Sequence, residues 1–323
     1  MEAVMVNKQA ELLAALAKYD RYLICSHENP DPDSIGSMLA MYQYLRRIGK
    51  KVWMMCADPI PDFPWPNMSR ILPFQDIDYQ TAIILDCEPE RTGKLLPLIK
   101  KAEVTINIDH HKGNPGSCTI NYIDPEQAAT CMILYQLFKT AGIDLDYGIA
   151  QPLYAGIVGD TGGFRHANTT AEVFAAAADL TTCGAVPSVT AQVLFESKPL
   201  EFMQFLGYAL AKLNTKHYRR LVWLALAEQD FAEFGMDPRW CDQLIDYVRM
   251  VKGCEVAILF REMAPGIVRI GFRSNSIDIH QLAVHFGGGG HLLAAGAQME
   301  GELSAIVEEV INAASKLLEG EEL

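Results

Sequence analysis

No two cysteines of this chain lie close enough to make a short metal-binding or redox motif. The eight, Cys25, Cys56, Cys87, Cys118, Cys131, Cys183, Cys241 and Cys254, are scattered, which excludes CxxC-type zinc and thiol chemistry. Several sit among apolar neighbours, as in YLICS and AIILDC, and read as small buried hydrophobes kept reduced in the cytoplasm. Long apolar runs are also missing. Glu2, Lys8, Glu11 and Lys18 break up the N-terminal stretch, and no later run is long enough to span a bilayer, so the expectation is a soluble, unprocessed protein without membrane partners. Basic residues are in short supply, 27 Lys and Arg against 40 Asp and Glu, for a net charge of -13. Affinity for long nucleic acid comes largely from cationic side chains displacing counterions, so a long duplex is a poor partner and any polyanionic substrate should be short. Abundant carboxylates suit divalent cations, and they also serve a merely solvated surface. Repeats, low-complexity tracts and heptad seams are absent as well.

What is present is a chain of 323 residues, half of them hydrophobic, enough for two domains with cores of their own. In the N-terminal half, short apolar runs alternate with helical periodicity: YLICS at 22–26, a helix near 34–48, KVWMMCA at 51–57, AIILD at 82–86 and VTINID at 104–109. That alternation predicts an α/β domain with a parallel sheet flanked by helices over 1–185. Helices dominate from Gln127 to about Ala211, including 171–182 and a stretch after Pro199, and 186–215 reads as a helical linker. From 216 to 323 the pattern becomes that of a smaller α+β domain. It comprises the strand RLVWLALA, a helix near 238–251, the strands CEVAILFRE and IVRIGFRS around the turn MAPG, a glycine run at 287–290, and a final amphipathic helix near 303–318.

Three of the N-terminal runs end directly in polar residues, and ligands of open α/β sheets bind outside the carboxyl ends of the strands. SHENPDPDSIGS places His27, Asp31 and Asp33 between a strand and a helix beginning near Ser34. Hard divalent ions favour carboxylate oxygens with an occasional imidazole, and a pair of ions must share ligands. An ordinary Asp/Pro turn with Ser34 as helix cap would explain Asp33 and Ser34 but leaves His27 and Asp31 without a role. Asp86 closes AIILD, where a carboxylate is either a bridging ligand or a cap. Asp109, His110 and His111 follow INI, so that one imidazole can meet an ion while the other faces substrate. GIVGDTGGFRHANTT either sets Asp160 in a glycine-rich turn that lets the backbone approach a metal-bound oxygen, or is a helix C-terminus punctuated by glycines, with Asn168 or Thr169 capping the next helix. Taken singly, each segment has a structural explanation; four of them in order, each at an element's end, point to a metal centre.

The ordered set HENPDPDS, LDCEPERTG, DHH, GDTGGFRHANTT and FGGGGHLLAAGA resembles the DHH phosphoesterase superfamily, and within it the DHH/DHHA1 group that contains bacterial nanoRNases acting on phosphorylated adenosine nucleotides. The resemblance runs over nearly the whole chain. It implies a DHH catalytic domain followed by a DHHA1 substrate-binding domain. It also implies two divalent cations, Mn²⁺ with Mg²⁺ as the alternative: His27, Asp31 and Asp86 on one, and Asp33, Asp86, His110 and Asp160 on the other. His111 would face the phosphate with Asp109 supporting it, while Arg273, Ser274, Gly288, Gly289, Gly290 and His291 would hold the substrate. Arginine offers a planar fork for phosphate, and glycines expose backbone N–H groups that cradle an anion, although a surface ion pair and a flexible hairpin would account for the same residues. Leu292 and Ala295 stand where relatives often carry Pro and Ser. The implied substrates are short single-stranded RNA, dinucleotides such as pApA, and phosphorylated nucleotides such as pAp. The competing readings are a small-molecule phosphatase or pyrophosphatase, and a non-catalytic nucleotide-binding module. Apolar faces on the middle helices also suggest a homodimer.

Overall fold

The computed structural model describes residues 2–321, and the side chains of residues 2–7, 240 and 291 lie outside the description. The chain divides into two compact units, Met1–Ser197 and Lys198–Leu323, so the division falls inside the segment expected to link the domains.

In the first unit α1 (Glu2–Lys18) leads into β1 (Tyr22–Cys25), α2 (Pro32–Arg47), β2 (Val52–Met55), β3 (Ile71–Leu72), β4 (Thr81–Leu85), the short α3 (Leu96–Ile99), β5 (Val104–Asp109) and β6 (Ile120–Ile123). Four helices follow: α4 (Thr130–Thr140), α5 (Tyr147–Asp160), α6 (Ala171–Thr182) and α7 (Pro187–Ala191). All six strands run parallel in the order β3-β2-β1-β4-β5-β6. Every residue of β1 and β4 is buried, as expected of parallel strands covered on both faces. The alternation of side chains sends Tyr22 and Ile24 to a core built with α1, α2, α4 and α5. Leu23 and Cys25 go to a smaller core with Leu95, Leu98 and Ile99 on the opposite face. The strand order reverses between β1 and β4, and the crevice at such a switch point is where open α/β sheets bind ligands.

The second unit contains α8 (Leu200–Ala211), β7 (Asn214–Lys216), β8 (Leu221–Leu226), α9 (Glu228–Glu233), α10 (Leu244–Arg249), β9 (Val256–Ala264), β10 (Ile267–Ser274), α11 (His280–His285), β11 (Gly289–His291), β12 (Ala294–Glu300) and α12 (Leu303–Glu319). Its sheet has the order β11-β12-β10-β9-β8-β7 and is antiparallel except for the β8–β9 pair. One face, with Ile258, Phe260, Ile270 and Phe272, packs under α11 and α12. The other is covered by α8, α9 and α10 over β8 and the start of β9.

Several local expectations shift. The helix expected over 238–251 is a 3-10 turn at Pro238–Trp240 followed by the two-turn α10, because Cys241, Asp242 and Gln243 interrupt it. The helix expected from Ser34 starts at Pro32, with Asp31 as its cap accepting from the Ser34 N–H; proline at the first helical position gives up no hydrogen bond there. Asp160 is the last residue of α5 and not part of the glycine turn, and α6 is capped by Thr170 rather than by Asn168 or Thr169. All eight cysteines are free thiols. Among the described residues no single helix is long and apolar enough to cross a membrane; Ala171–Thr182 and Pro187–Glu196 together have the length and composition but are bent by 115°.

Candidate metal centre

The carboxyl ends of β1, β4 and β5 bring together the six side chains that the sequence singled out for cations. Ser26 Oγ donates to the Leu85 carbonyl at 2.7 Å, tying the end of β1 to the end of β4. The next residue, His27, is buried, and its Nδ1 lies 2.7 Å from the Glu28 carbonyl. That contact turns Nε2 inward, 3.5 Å from Asp86 Oδ2 and 3.7 Å from Asp31 Oδ2. Asp86, directly after β4, holds φ +65°, a left-handed conformation that Asp tolerates better than most residues and that is characteristic of functional turns. Its other oxygen, Oδ1, lies 3.5 Å from His110 Nε2 and accepts from Thr130 Oγ1 at 3.1 Å. One carboxylate thus presents one oxygen to His27 and the other to His110.

His110 repeats the device. Its Nδ1 faces the Gln127 carbonyl at 3.2 Å, and its Nε2 points at Asp160 Oδ2 at 3.1 Å. Asp33 completes this side, with both oxygens already accepting backbone N–H groups at the start of α4, from Thr130 at 2.7 Å and Cys131 at 2.8 Å. A carboxylate at a helix N-terminus is held in place by such bonds and by the helix dipole. Gly156 on α5 leaves the room: a Cβ there would stand 2.3 Å from Cys131 Sγ and 2.8 Å from Asp33 Oδ1. Two ligand sets of mutually close donor atoms result, His27/Asp31/Asp86 and Asp33/His110/Asp160, and a third, Asp86/His110/His111, joins them.

The charges show what this arrangement needs. Burial and the neighbouring Asp33 push Asp86 well above the usual carboxylate range. Burial, with Asp33 beside it, lifts Asp160 to about 7, and burial raises Asp33 as well. Burial alone would lower His27 and His110. Asp31 and Asp86 around the first, and Asp160 and Asp33 around the second, outweigh it and carry both to about 10. His110 Nε2 is buried with only carboxylate oxygens about it, Asp160 Oδ2 at 3.1 Å but out of hydrogen-bond geometry, the kind of atom that a cation would satisfy. Carboxylate oxygens with two imidazoles form a donor set for Mn²⁺ or Mg²⁺ rather than for a thiolate-loving metal, so the residues fit divalent cations.

His111 and Asp109 form a separate pair. Asp109 Oδ1 accepts the His111 Nδ1–H at 2.7 Å and the N–H groups of His110 and His111, and its Oδ2 accepts from Asn114 Nδ2 at 2.6 Å. These bonds hold the buried carboxyl below its usual range despite the burial that opposes them. Asn114 also donates to Asn107 Oδ1, and Asn107 Nδ2 donates to the Ile84 and Cys87 carbonyls. Asn168 Nδ2 donates to the Ala128 and Asp160 carbonyls. Sequence reasoning missed Thr130, Asn107 and Asn114. The one available signal was Asn107, a polar residue in the middle of the apolar run VTINID.

The residues expected to hold substrate are all in the second unit. Arg273, Gly288 and Gly289 line one cavity of about 450 Å³. Ser274 does not share it. Its side chain is buried, and Oγ accepts the N–H groups of Ser276 and Ile277, the work of a turn cap. Gly288 is required by crowding, since a Cβ there would meet the Gly296 carbonyl oxygen at 2.1 Å. Gly290 is exposed on β11, and the side chain of His291 lies outside the described residues.

Comparison with known proteins gives the same outline. The DHH family N-terminal domain matches residues 21–157, and the DHHA1 domain matches 220–320. A protein of Thermus thermophilus named bifunctional oligoribonuclease and PAP phosphatase NrnA is 32% identical over 304 residues, 90% of this chain and 88% of the relative. Its namesake in Bacillus subtilis is 25% identical over 298 residues, covering 90% and 93%. The crystal structure of an exopolyphosphatase-related protein from Bacteroides fragilis has the same fold, with a TM-score of 0.88 at 22% identity, covering 97% of this chain and 96% of that one. By domain matches and by relatives along nearly its full length, the chain belongs to the metal-dependent DHH/DHHA1 phosphoesterases.

Proposed function

We propose that this phosphoesterase uses two divalent cations, Mn²⁺ foremost, to hydrolyse short oligoribonucleotides such as pApA and phosphorylated nucleotides such as pAp. The observation that carries this reading is Asp86, whose two oxygens face two separate sets of ligand atoms while the buried His110 Nε2 faces carboxylate oxygens alone. The substrate class comes from the relatives named for oligoribonuclease and PAP phosphatase activity. When bound, a cation pair supplies an acidified water and neutralises charge developing on phosphate oxygens.

The side chains divide that work. His27, Asp31 and Asp86 hold one cation, and Asp33, Asp86, His110 and Asp160 the other. The Nδ1 contacts of His27 and His110 keep each Nε2 turned inward as a ligand. Asp109 holds His111 by its Nδ1 and so fixes the ring that would face the phosphate. Arg273 and the backbone of Gly288 and Gly289 bind the part of the substrate away from the scissile phosphate. Eight cysteines with no pairing among them suit a reducing cytoplasm, where we place this activity.

Purified protein assayed with Mn²⁺ against pApA, pAp, a linearised and a cyclic dinucleotide, and pyrophosphate should turn over the first two fastest and lose activity to a chelator. Hydrolysis of pyrophosphate alone would replace this reading with that of a phosphoanhydride phosphatase.

A further inference from the structure

The cavity in the second unit is built by an arrangement of residues that goes beyond Arg273 and the glycine run. On the face of the sheet opposite α11 and α12, Gly271 of β10 stands opposite Gly296 of β12, and Gly296 stands opposite Gly289 of β11. Three glycines in register across three strands line the cavity and give it a trench, floored by bare backbone at Gly289 and Gly296 and by Ile245 of α10 packed over Gly271. Its volume lies within the range of small-ligand sites, which is about 300–1,000 Å³.

Arg273 stands at one end of this trench. Arg269, four residues earlier on the same face of β10, stands at the other, roughly 13 Å away along the strand. Its direct cross-strand partners are Arg261 on one side and Gln298 on the other, and all of them line the cavity. Like charges placed directly opposite each other destabilise a sheet. Arg261 is 2% exposed. Its terminal nitrogens are taken by Asp242 and the Pro238 carbonyl, and its Nε is buried without a partner. Asp242 is the sole carboxylate lining the cavity, against three arginines. Arg269 is exposed and has no ion pair or hydrogen bond among the described residues. A chain with a net charge of -13 therefore keeps a concave, cation-rich pocket whose two ends are separately charged.

We propose that Arg269, backed by Arg261, binds a terminal phosphate of the substrate that is not the scissile one, so that the second unit selects nucleotides phosphorylated at their remote end. The assignment rests on the reading that this unit carries the remote part of a nucleotide substrate. The bare glycine floor admits the flat nucleoside, and the guanidinium fork supplies charge-assisted bonds to the phosphate.

Calorimetric titration of the full chain with AMP, adenosine and inorganic phosphate tests it. In the natural protein AMP should bind about 10- to 100-fold tighter than adenosine, the worth of one or two hydrogen bonds to a charged group. Arg269→Gln should bring AMP to within about twofold of adenosine and leave adenosine itself unchanged. A Cβ at Gly289 meets no atom within 4 Å, so Gly289→Leu should fill the trench without moving the backbone and weaken both ligands. The proposal is overturned if AMP and adenosine bind alike, if Arg269→Gln weakens both equally, if inorganic phosphate matches AMP, or if Gly289→Leu leaves AMP binding intact. Failure of the phosphoesterase reading looks different: a protein that binds AMP through Arg269 and hydrolyses none of pApA, pAp or pyrophosphate refutes the substrate assignment and leaves this pocket standing.

Discussion

Asp86 concentrates the chemistry of the site in one residue: it is buried, strained into the left-handed region, and aimed with one oxygen at each ligand set. Replacing it with Asn keeps the tolerance for positive φ and the acceptor for Thr130 while removing the charge. Asp86→Asn should cut turnover by at least about 1,000-fold, the order expected when several kcal/mol of cation-dependent stabilisation is lost. The same change relieves a carboxylate crowded by Asp33, so in chelator near pH 8 the variant should melt no lower than the natural protein. Loss of the fold in this variant would mean that Asp86 is structural. Thr130 acts on Asp86 without belonging to either ligand set. Thr130→Val removes only the Oγ1 bond and keeps the backbone N–H that Asp33 uses. Residues that orient a ligand are typically worth about 10- to 100-fold in metal affinity or activity. A fall of that size in Mn²⁺ affinity, read by calorimetry, is the expected outcome, and an unchanged affinity would reduce Thr130 to a helix-start residue.

At the level of elements, the centre is assembled by helices α4 and α5 pressing on the strand ends. Gly156 shows how tight that assembly is, because Gly156→Ala would drive a methyl into Cys131 Sγ and the Asp33 carboxylate. Overpacking of this kind costs about 1–3 kcal/mol, and the displaced Asp33 should weaken the cation site as well. Cys131→Ala in the same chain should recover part of the stability, measured by denaturant midpoint; failure of the double variant to recover any would locate the strain elsewhere. Such contacts also mark what could be read from sequence. His27, Asp86 and His110 stood out because each follows or closes an apolar run, as Asp86 closes AIILD, and Asp31 and Asp33 because they follow His27 at alternating positions. The parallel sheet was legible for the same reason, through apolar runs that become wholly buried in β1 and β4 and largely buried in β5. Thr130 and Asn114 carry no such mark. Thr130 meets Asp86 from 44 residues away, and Asn114 finds Asp109 only through the loop after β5. The two-residue β3 is shorter than any periodicity can reveal, β6 has one buried residue in four and so no apolar run to mark it, and Asp31 was passed over as a helix cap because the more familiar Ser34 followed it.

For the molecule as a whole, protons and cations compete for one cluster, and that competition fixes the sign of its pH response. Without cations, Asp160 titrates at about 7, and His27 and His110 at about 10. The folded chain therefore holds more protons than the unfolded one in two windows: from the usual carboxylate value of 3.8 to about 7, and from the usual imidazole value of 6.5 to about 10. Stability falls with rising pH wherever the folded state is the more protonated. The imidazolium contribution is complete below about 6.5 and lost by about 10, so the chelated protein should melt at steadily lower temperature from about pH 5 to about pH 9. Saturating Mn²⁺ should oppose that slope, since deprotonation frees the lone pairs that bind the cation, and a ligand at about 100 times its dissociation constant adds about 2.7 kcal/mol to the folded state. The gap between the melting curves with Mn²⁺ and with chelator should widen as pH rises, with proton release on Mn²⁺ binding visible as a buffer-dependent heat. Parallel curves and a buffer-independent heat would mean that the cation does not displace these protons, and that the six side chains do not ligate it.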